Sequence, residues 1–240
     1  LDQVRTIVGG VYEPSRFLEI VRDYVYFPDA KSGKEQEVVC RYPQFFATRM
    51  LRDNVLKAFA NNDRKGGTYF GATGCGKTYT MMFLARQLSL RCPELESPTI
   101  VMIVDRDDLQ TQAGDLFMQS EDFLSLGTAQ KIESRKALGE EMGSRKSGGF
   151  FICTIQKFCE ETGLLNDRHN IVCFSDEAHR TQVHLDTHLK VKGLEKGKDI
   201  TEGDQDKIGA FVTKPYAELL RTAFPNATFV GFTGTPIDDT

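Results

Sequence analysis

The sequence predicts an α/β domain in which helices cover both faces of a doubly wound parallel sheet. Short apolar runs lack the polar alternation of half-exposed strands, so they indicate strands buried on both faces. Helix-length segments separate these runs, which is the alternation of a doubly wound fold. Strands are expected at 68–70, 100–104, 150–154, 171–174 and 228–232, and helices at 78–91, 108–119, 131–142, 155–162 and 210–222.

Two helices are expected before the first strand. Between Pro14 and Tyr24 apolar residues recur at helical spacing, and Pro28 with the polar stretch after it ends this element. A second helix is expected to open at Tyr42, with Pro43 in its first turn, and to end at 61–63. The apolar residues concerned are Phe17, Leu18, Val21 and Val25 in the first helix, and Phe46, Met50, Val55 and Phe59 on the inner face of the second.

The composition excludes several classes of protein. Of the 240 residues 40% are hydrophobic and 27% are charged, which supplies one sizeable core and excludes a disordered chain. The net charge of −4 means that any binding of nucleic acid relies on local patches. No apolar run approaches the roughly 18 residues that span a bilayer, so we expect a cytoplasmic protein without a membrane partner. The cysteines form no C-x-x-C pair and are expected to be reduced thiols: Cys40, Cys75, Cys92, Cys153, Cys159 and Cys173.

The strongest chemical signal is the motif G-x-x-x-x-G-K-[ST] at 71–78, between a predicted strand and a predicted helix. Backbone N–H groups of such a loop turn toward phosphates, and the following helix adds its positive end. Lys77 is expected to reach the β- and γ-phosphates of ATP, while the Thr78 hydroxyl ligates Mg²⁺. The alternative is a plain glycine-rich turn, with Cys75 as a small filler or as a reactive thiol. The residues expected to bind nucleotide are Ala72, Thr73, Gly74, Cys75, Gly76, Lys77 and Thr78.

Two adjacent carboxylates form the second signal. Asp176 and Glu177 follow the apolar run at 171–174, and ligands bind at the carboxyl edge of parallel sheets. Asp176 is expected to hold Mg²⁺, and Glu177 to orient and deprotonate the attacking water. A helix N-cap beside a surface carboxylate is the alternative interpretation. With Lys77, these two residues are the catalytic candidates.

Together these motifs resemble the ATP-driven helicases and translocases of superfamily 2, whose DEAH box is spelled by 176–179. Four sequence motifs point to one family within this superfamily: V-D-R-x-x-L (104–109), T-I-Q-K-F (154–158), D-E-A-H-R-T-Q (176–182) and G-F-T-G-T-P (231–236). That set resembles the motor (R) subunit of type I restriction-modification enzymes. The resemblance covers roughly 41–236 and implies a RecA-like P-loop NTPase fold, preceded by a helical segment at 1–40 that joins the family's nuclease to its motor.

The resemblance also implies roles for residues outside the two main motifs. Gln44, within R-Y-P-Q-F-F-A, is similar to the family's glutamine motif and would read the adenine edge through its amide. The last motif looks like motif III, whose threonines couple ATP hydrolysis to movement of the nucleic acid. The implied coupling residues are His179, Thr233 and Thr235, and the implied DNA-backbone contacts of motifs Ia and Ib are Arg106, Thr154 and Lys157.

The implied function is that of the first motor lobe, at 41–240, of an ATP-dependent double-stranded DNA translocase. Its partners would be duplex DNA and the methylation and specificity subunits of a restriction complex. Alternatives are another superfamily 2 motor, such as a type III restriction motor or a DEAH-type RNA helicase, or a nucleotide-binding assembly module without turnover. The sequence lacks the family's upstream acidic nuclease cluster and the second lobe with its arginine finger. We therefore expect these 240 residues alone to bind nucleotide but to hydrolyse it poorly.

Three weaker signals remain. The charged, glycine-containing stretch at 190–207 has almost no apolar residue and is expected to be a solvated insertion. His184 and His188 could share a metal on one helix face, but no third ligand has suitable spacing, so a solvated face is favoured. A basic run before the glycines at 148–149 is interpreted as a solvated face, with DNA contact as the alternative: Lys131, Arg135, Lys136, Arg145 and Lys146.

Overall fold

The computed structural model describes residues 5, 8–10, 12–27, 37–72, 74–104, 114–117, 120–124, 129–158, 162–176 and 216–234. The α-helices among them are α1 (Pro14–Asp23), α2 (Tyr42–Asn61), α3 (Lys77–Leu90), α4 (Glu121–Leu124), α5 (Arg135–Gly143) and α6 (Tyr216–Ala223). The strands are β1 (Val25–Tyr26), β2 (Val38–Val39), β3 (Lys65–Phe70), β4 (Thr99–Val104), β5 (Gln130–Lys131), β6 (Phe150–Thr154), β7 (Ile171–Asp176) and β8 (Thr228–Thr233). Short 3₁₀ turns occupy Pro93–Leu95 and Ile155–Lys157.

The described strands form a parallel sheet in the order β3-β8-β7-β4-β6-β5. Every residue of β4 and β6 is buried, as the unbroken apolar runs predict. The predicted α/β class with a helix-flanked parallel sheet is therefore confirmed. A separate antiparallel pair, β1 with β2, was not predicted, because two-residue strands carry no readable periodicity.

Side chains of alternate strand residues pack into two hydrophobic cores on opposite faces of the sheet. Along β4, Ile100 and Met102 face the core that also contains Tyr24, whereas Val101 and Ile103 face the core that also contains Leu220. The first core is covered by α1, α2 and α3, and the second by α5 and α6. Burial on both faces stabilises the central strands and holds their carboxyl ends in one line.

The edge strand β3 departs from the prediction of strands buried on both faces. Three of its six residues are exposed: Lys65, Thr68 and Phe70. The reason is its place at the edge of the described sheet, where one side lacks a neighbouring strand. Gly66 lies so close to β8 that a Cβ there would come within 2.6 Å of Val230, so only glycine fits this pairing.

The face of helix α1 that packs against the rest of the protein is not the face that its apolar residues predict. Leu18 and Val21 are exposed, while Asp23 at the end of the helix is completely buried. The Asp23 carboxylate accepts hydrogen bonds from Arg91 at 2.7 and 3.0 Å and from Arg22 at 2.8 and 2.9 Å. We call these three residues the Asp23 clamp. An ionic contact therefore fastens the end of α1 to the residue that follows α3, beside the apolar contacts of Ile20 and Tyr24.

Three expectations about helices were wrong. Met50 is 67% exposed, because the inner face of α2 runs through Thr48, Leu51 and Val55. The helix expected at 131–142 begins only at Arg135, since 130–131 pairs with β6 and Ser134 caps the helix by accepting a hydrogen bond from the Ala137 N–H.

Within the helix expected at 155–162, Ile155–Lys157 form a 3₁₀ turn, and Phe158 is extended and buried against Phe224. Residues 159–161 lie outside the described residues. The insertion at 190–207 and most of 108–119 lie outside the described residues. Among the described helices none is long and apolar enough to cross a membrane.

Candidate nucleotide-binding site

Three neighbouring strands bring the predicted motifs together at the carboxyl edge of the sheet. The loop after β3 begins at Gly71, whose N–H donates to the Thr233 carbonyl at the end of β8, at 3.0 Å. On the other side of β8, Asp176 at the end of β7 lies in register with Phe232. Neighbouring strands are about 4.8 Å apart, so the phosphate loop and Asp176 start roughly 10 Å from each other.

The loop itself has the backbone conformation that its glycines predict. Gly74 and Gly76 have φ values of +79° and +86°, in the region that other L-residues rarely adopt. A Cβ at Gly76 would also lie 2.5 Å from the Gln44 amide nitrogen. Helix α3 begins directly after Gly76, and no side chain caps its N-terminus. Its first N–H groups are therefore available to an anion.

Lys77 and Thr78 begin α3 at positions where both side chains can reach that anion. The Lys77 ammonium donates to the Gly71 carbonyl at 3.3 Å, which places it across the mouth of the loop. Thr78 is half-buried, and its hydroxyl has no hydrogen bond within the described part of the chain. The arrangement offers backbone donors, one cation and one hydroxyl at a single place.

Gln44 joins the phosphate loop to helix α2. Its carbonyl oxygen accepts the Arg41 N–H at 2.7 Å, and its amide donates to the carbonyls of Gly76 at 3.1 Å and Cys75 at 3.5 Å. The side chain is buried. Its direct partners are thus protein groups that hold the loop in place, and adenine reading stays a prediction.

A family profile with the description SWI2/SNF2 ATPase matches residues 43–240. The chain belongs to the SWI2/SNF2 ATPase family. It is 35% identical over 98% of its length to the type I restriction enzyme HindI endonuclease subunit of Haemophilus influenzae, of which it covers 21%. It is 29% identical over 97% of its length to a putative type I restriction enzyme MjaIXP endonuclease subunit of Methanocaldococcus jannaschii, of which it covers 19%.

The chain thus spans about a fifth of the length of these curated relatives. The predicted resemblance to type I restriction subunits is confirmed by the relatives' names. Among solved structures, S. cerevisiae Dbp5 L327V bound to RNA and ADP BeF3 matches 82% of this chain and 44% of its own chain, with 14% identity and a TM-score of 0.41.

The oxygen donors of this SWI2/SNF2 ATPase domain fit a hard divalent cation. Thr78 supplies a hydroxyl at the start of α3, and Asp176 supplies a half-buried carboxylate at the end of β7. Mg²⁺ typically takes one or two protein oxygens and completes its shell with water and substrate phosphates. Among the described residues, no group of three or more His, Cys, Asp or Glu side chains could hold a metal ion.

Two predicted DNA contacts of this SWI2/SNF2 domain are buried. The Lys157 ammonium donates to the Thr154 hydroxyl at 3.0 Å, just after the end of β6. Contact with a phosphate would require the ammonium to turn outward, so this role stays a prediction. Thr233 is described and buried at the end of β8. Five further predicted site residues lie outside the described residues: Thr73, Arg106, Glu177, His179 and Thr235.

Two residues that support the loop were missed at the sequence level. The Tyr69 hydroxyl lies 3.9 Å from the Cys75 sulfur, and burial together with this contact raises the pKa of Tyr69. Thr80 is buried one turn into α3, where its hydroxyl donates to the Gly76 carbonyl at 3.4 Å. Neither residue belongs to the motif, so their contacts with the loop are visible only in the folded structure.

The buried cysteines of the SWI2/SNF2 domain behave as predicted for reduced structural thiols. Five cysteines are free in the described part of the chain, three of them buried, and Cys159 lies outside the described ranges. Burial raises the pKa of Cys92 to about 11 and that of Cys153 to about 12, and it also raises the pKa of Cys173. These three thiols therefore stay protonated at neutral pH and are poor nucleophiles.

Proposed function

We propose that this SWI2/SNF2 ATPase domain is the first motor lobe of a cytoplasmic, ATP-dependent double-stranded DNA translocase of a type I restriction enzyme. The lobe is assigned to 41–240, and 1–40 is assigned to the segment that links it to a preceding nuclease. One observation carries the proposal. Strand β8, which ends in the predicted motif III, lies between the phosphate loop and Asp176 and accepts the Gly71 N–H. A nucleotide at the loop would therefore touch the element that the family uses for coupling.

The loop residues supply the nucleotide contacts in this proposal. The N–H groups from Ala72 to Thr78 and the Lys77 ammonium hold the β- and γ-phosphates of ATP. Gln44, already against Gly76, still has acceptor and donor capacity in its amide for the adenine edge. Thr78 and Asp176 would hold Mg²⁺, which supplies charge neutralisation on the phosphates.

Hydrolysis and coupling use the ends of β7 and β8. Glu177 orients the attacking water and accepts its proton, next to Asp176. Thr233 at the end of β8 couples ATP hydrolysis to movement of the DNA, together with His179 and Thr235. Arg106, Thr154 and Lys157 contact the DNA backbone, and the methylation and specificity subunits position the motor on its site.

The test uses the full-length subunit assembled with its partner subunits. Glu177→Gln should retain ATP binding and lose hydrolysis, because an amide cannot accept the proton of water. Glu133→Gln, the same change at an exposed residue, is the matched control. ATP affinity is measured by titration, and turnover is measured with duplex DNA, with RNA and with neither.

The proposal predicts turnover that is stimulated by duplex DNA and not by RNA. Stimulation by RNA would identify a DEAH-type helicase instead. Nucleotide binding without turnover in the wild-type complex would identify an assembly module. Equal loss of binding and turnover in Glu177→Gln would give Glu177 a structural role rather than that of the base.

A further inference from the structure

Two arginines meet at the amino end of the sheet, opposite the phosphate loop. Arg168 precedes β7 and donates to the Thr99 hydroxyl at 2.6 Å. That hydroxyl donates to the Gly148 carbonyl at 2.8 Å, and the same carbonyl accepts the Arg145 Nε–H at 3.1 Å. One hydroxyl and one carbonyl thus connect the two half-buried guanidinium groups.

The surrounding backbone holds both arginines in place. The Asn166 amide donates to the Met142 carbonyl at 2.8 Å and to the Arg145 carbonyl at 3.1 Å, so it joins the end of α5 to the segment before β7. The Arg145 guanidinium lies 4.8 Å from the centre of the Phe151 ring. A cation on an aromatic face, with fixed backbone contacts, loses little further freedom when it binds a ligand.

The positive charge of this cluster is not neutralised by the residues that the structure describes. Arg145, Lys146 and Arg168 form no ion pair with any of them, and Asp167, which lines the same cleft, forms none either. The Arg168 Nε–H is buried without a hydrogen-bond partner. Burial, and then the charge of Arg145, lower the pKa of Arg168. An anion in the cleft would reduce the repulsion between the two guanidinium groups.

An open cleft gives a ligand access to these groups. It has a volume of about 680 Å³, and Ser144, Lys146 and Leu164 line it beside the two arginines. Six-residue strands are about 20 Å long, so the cleft and the phosphate loop lie at opposite ends of the sheet. The cleft is therefore separate from the nucleotide site.

Helix α5 connects the cleft with the other end of the sheet. It joins two parallel strands, β5 and β6, so it runs from the carboxyl edge back to the amino end. Exposed Arg135 begins the helix, and Arg145 lies two residues after its last residue, Gly143. Cations therefore stand at both ends of a helix roughly 14 Å long on the outer side of the sheet.

We infer that Arg145, Lys146 and Arg168 form a second phosphate-binding site that holds the backbone of duplex DNA away from the nucleotide. The inference rests on the proposed DNA translocase function. A duplex carries about one charge per 1.7 Å of its axis, so successive phosphates can reach all three cations. An acidic protein segment would need several carboxylates at matching spacing. The net charge of −4 leaves DNA binding to local cationic patches, and this is such a patch.

The experiment measures duplex binding by the full-length subunit as a function of salt. Lys146→Gln is the first variant, because Lys146 is exposed and has no contact whose loss would affect folding. Arg145→Gln and Arg168→Gln follow, and Lys57→Gln on α2 is the matched control. Each cluster variant should lower the slope of log K against log salt by about 0.9, which is roughly a 3-fold smaller loss of affinity from 50 to 200 mM. Lys57→Gln should leave the slope unchanged, and none of the variants should change ATPase activity without DNA.

The outcomes separate this inference from the function on which it rests. Duplex binding with the wild-type slope in all three cluster variants rejects the cluster and leaves the translocase proposal intact. Unchanged slopes with loss of association to the partner subunits identify an acidic protein segment as the ligand and also reject the inference. If the wild-type subunit binds no duplex at all, the inference and the proposed function fail together.

Discussion

The two ends of the sheet present positive charge to an anion in different ways. At the carboxyl end, the phosphate loop uses backbone N–H groups, the N-terminus of α3 and one side chain, Lys77. At the amino end, Arg145 and Arg168 present side-chain charge that tertiary contacts hold together. The first arrangement is built from eight consecutive residues, whereas the second comes from segments 23 residues apart in the chain.

The two sites differ because backbone donors and side-chain donors require different things of the sequence. Backbone donors require particular φ values, so glycines must stand at set positions and leave a motif. Side-chain donors require only that the chain brings them together, so their spacing in the sequence carries no pattern. The Asp23 clamp is a third case, in which the arginines are neutralised by a buried carboxylate.

The largest effect is expected from removing the one side-chain charge of the loop. Lys77→Ala in the full-length subunit should reduce ATP turnover about 10²- to 10³-fold, because the lost ammonium faces the charge that develops on the phosphoryl group. Lys57→Ala serves as the control. Steady-state turnover and a calorimetric titration with ATP are the measurements. ATP affinity and rate equal to those of the wild type would show that backbone donors suffice.

A variant of the Asp23 clamp tests how much the neutralisation of arginine charge contributes to the stability of α1 docking. Asp23→Asn should destabilise the docking of α1 by about 2 kcal/mol, because charged hydrogen bonds are lost while the two arginines stay partly exposed to solvent. Hydrogen exchange of the α1 amides should then be about 30-fold faster, while Asp53→Asn at an exposed position should have little effect. Wild-type exchange rates in Asp23→Asn would show that packing alone holds α1.

The clamp also predicts the direction of a pH effect. Burial alone would raise the pKa of Asp23, but hydrogen bonds from Arg91 and Arg22 outweigh it and hold that pKa below the usual value. The clamp is therefore fully present above the ordinary carboxyl pKa and is lost as pH falls through the lowered one. Protection of α1 should decline more steeply in that acidic window in the wild type than in Asp23→Asn, where the N-cap carboxylate of Glu13 still titrates.

A smaller effect is expected from substitution of the two loop glycines that share a left-handed backbone. Gly74→Ala and Gly76→Ala both force alanine into a left-handed conformation, which costs about 1–2 kcal/mol. A Cβ at Gly74 meets nothing within 4 Å, whereas one at Gly76 collides with Gln44. Nucleotide affinity should thus fall several-fold more in Gly76→Ala than in Gly74→Ala. Equal losses would mean that the contact with Gln44 does not shape the loop.

Predicted elements matched the structure where the local sequence pattern was unbroken, and they differed where packing against neighbouring elements set the conformation. The strand at 150–154 was predicted with its observed bounds, because five apolar residues in a row suit a strand buried on both faces. The predicted helix at 155–162 does not continue through Phe158, which is extended and packs against Phe224. The prediction that Met50 lies on the inner face of α2 was wrong, because α2 packs through the face that contains Leu51.

The sequence by itself determined the α/β class, the order of its main elements and the phosphate loop, because periodicity, glycine positions and the motif are local properties of the chain. Only the tertiary structure decided that Gln44 supports Gly76, that Asp23 binds Arg91, and that Arg145 approaches Arg168. These contacts join residues 32, 68 and 23 positions apart. They depend on how helices and loops pack against the sheet, and no spacing within the sequence records that packing.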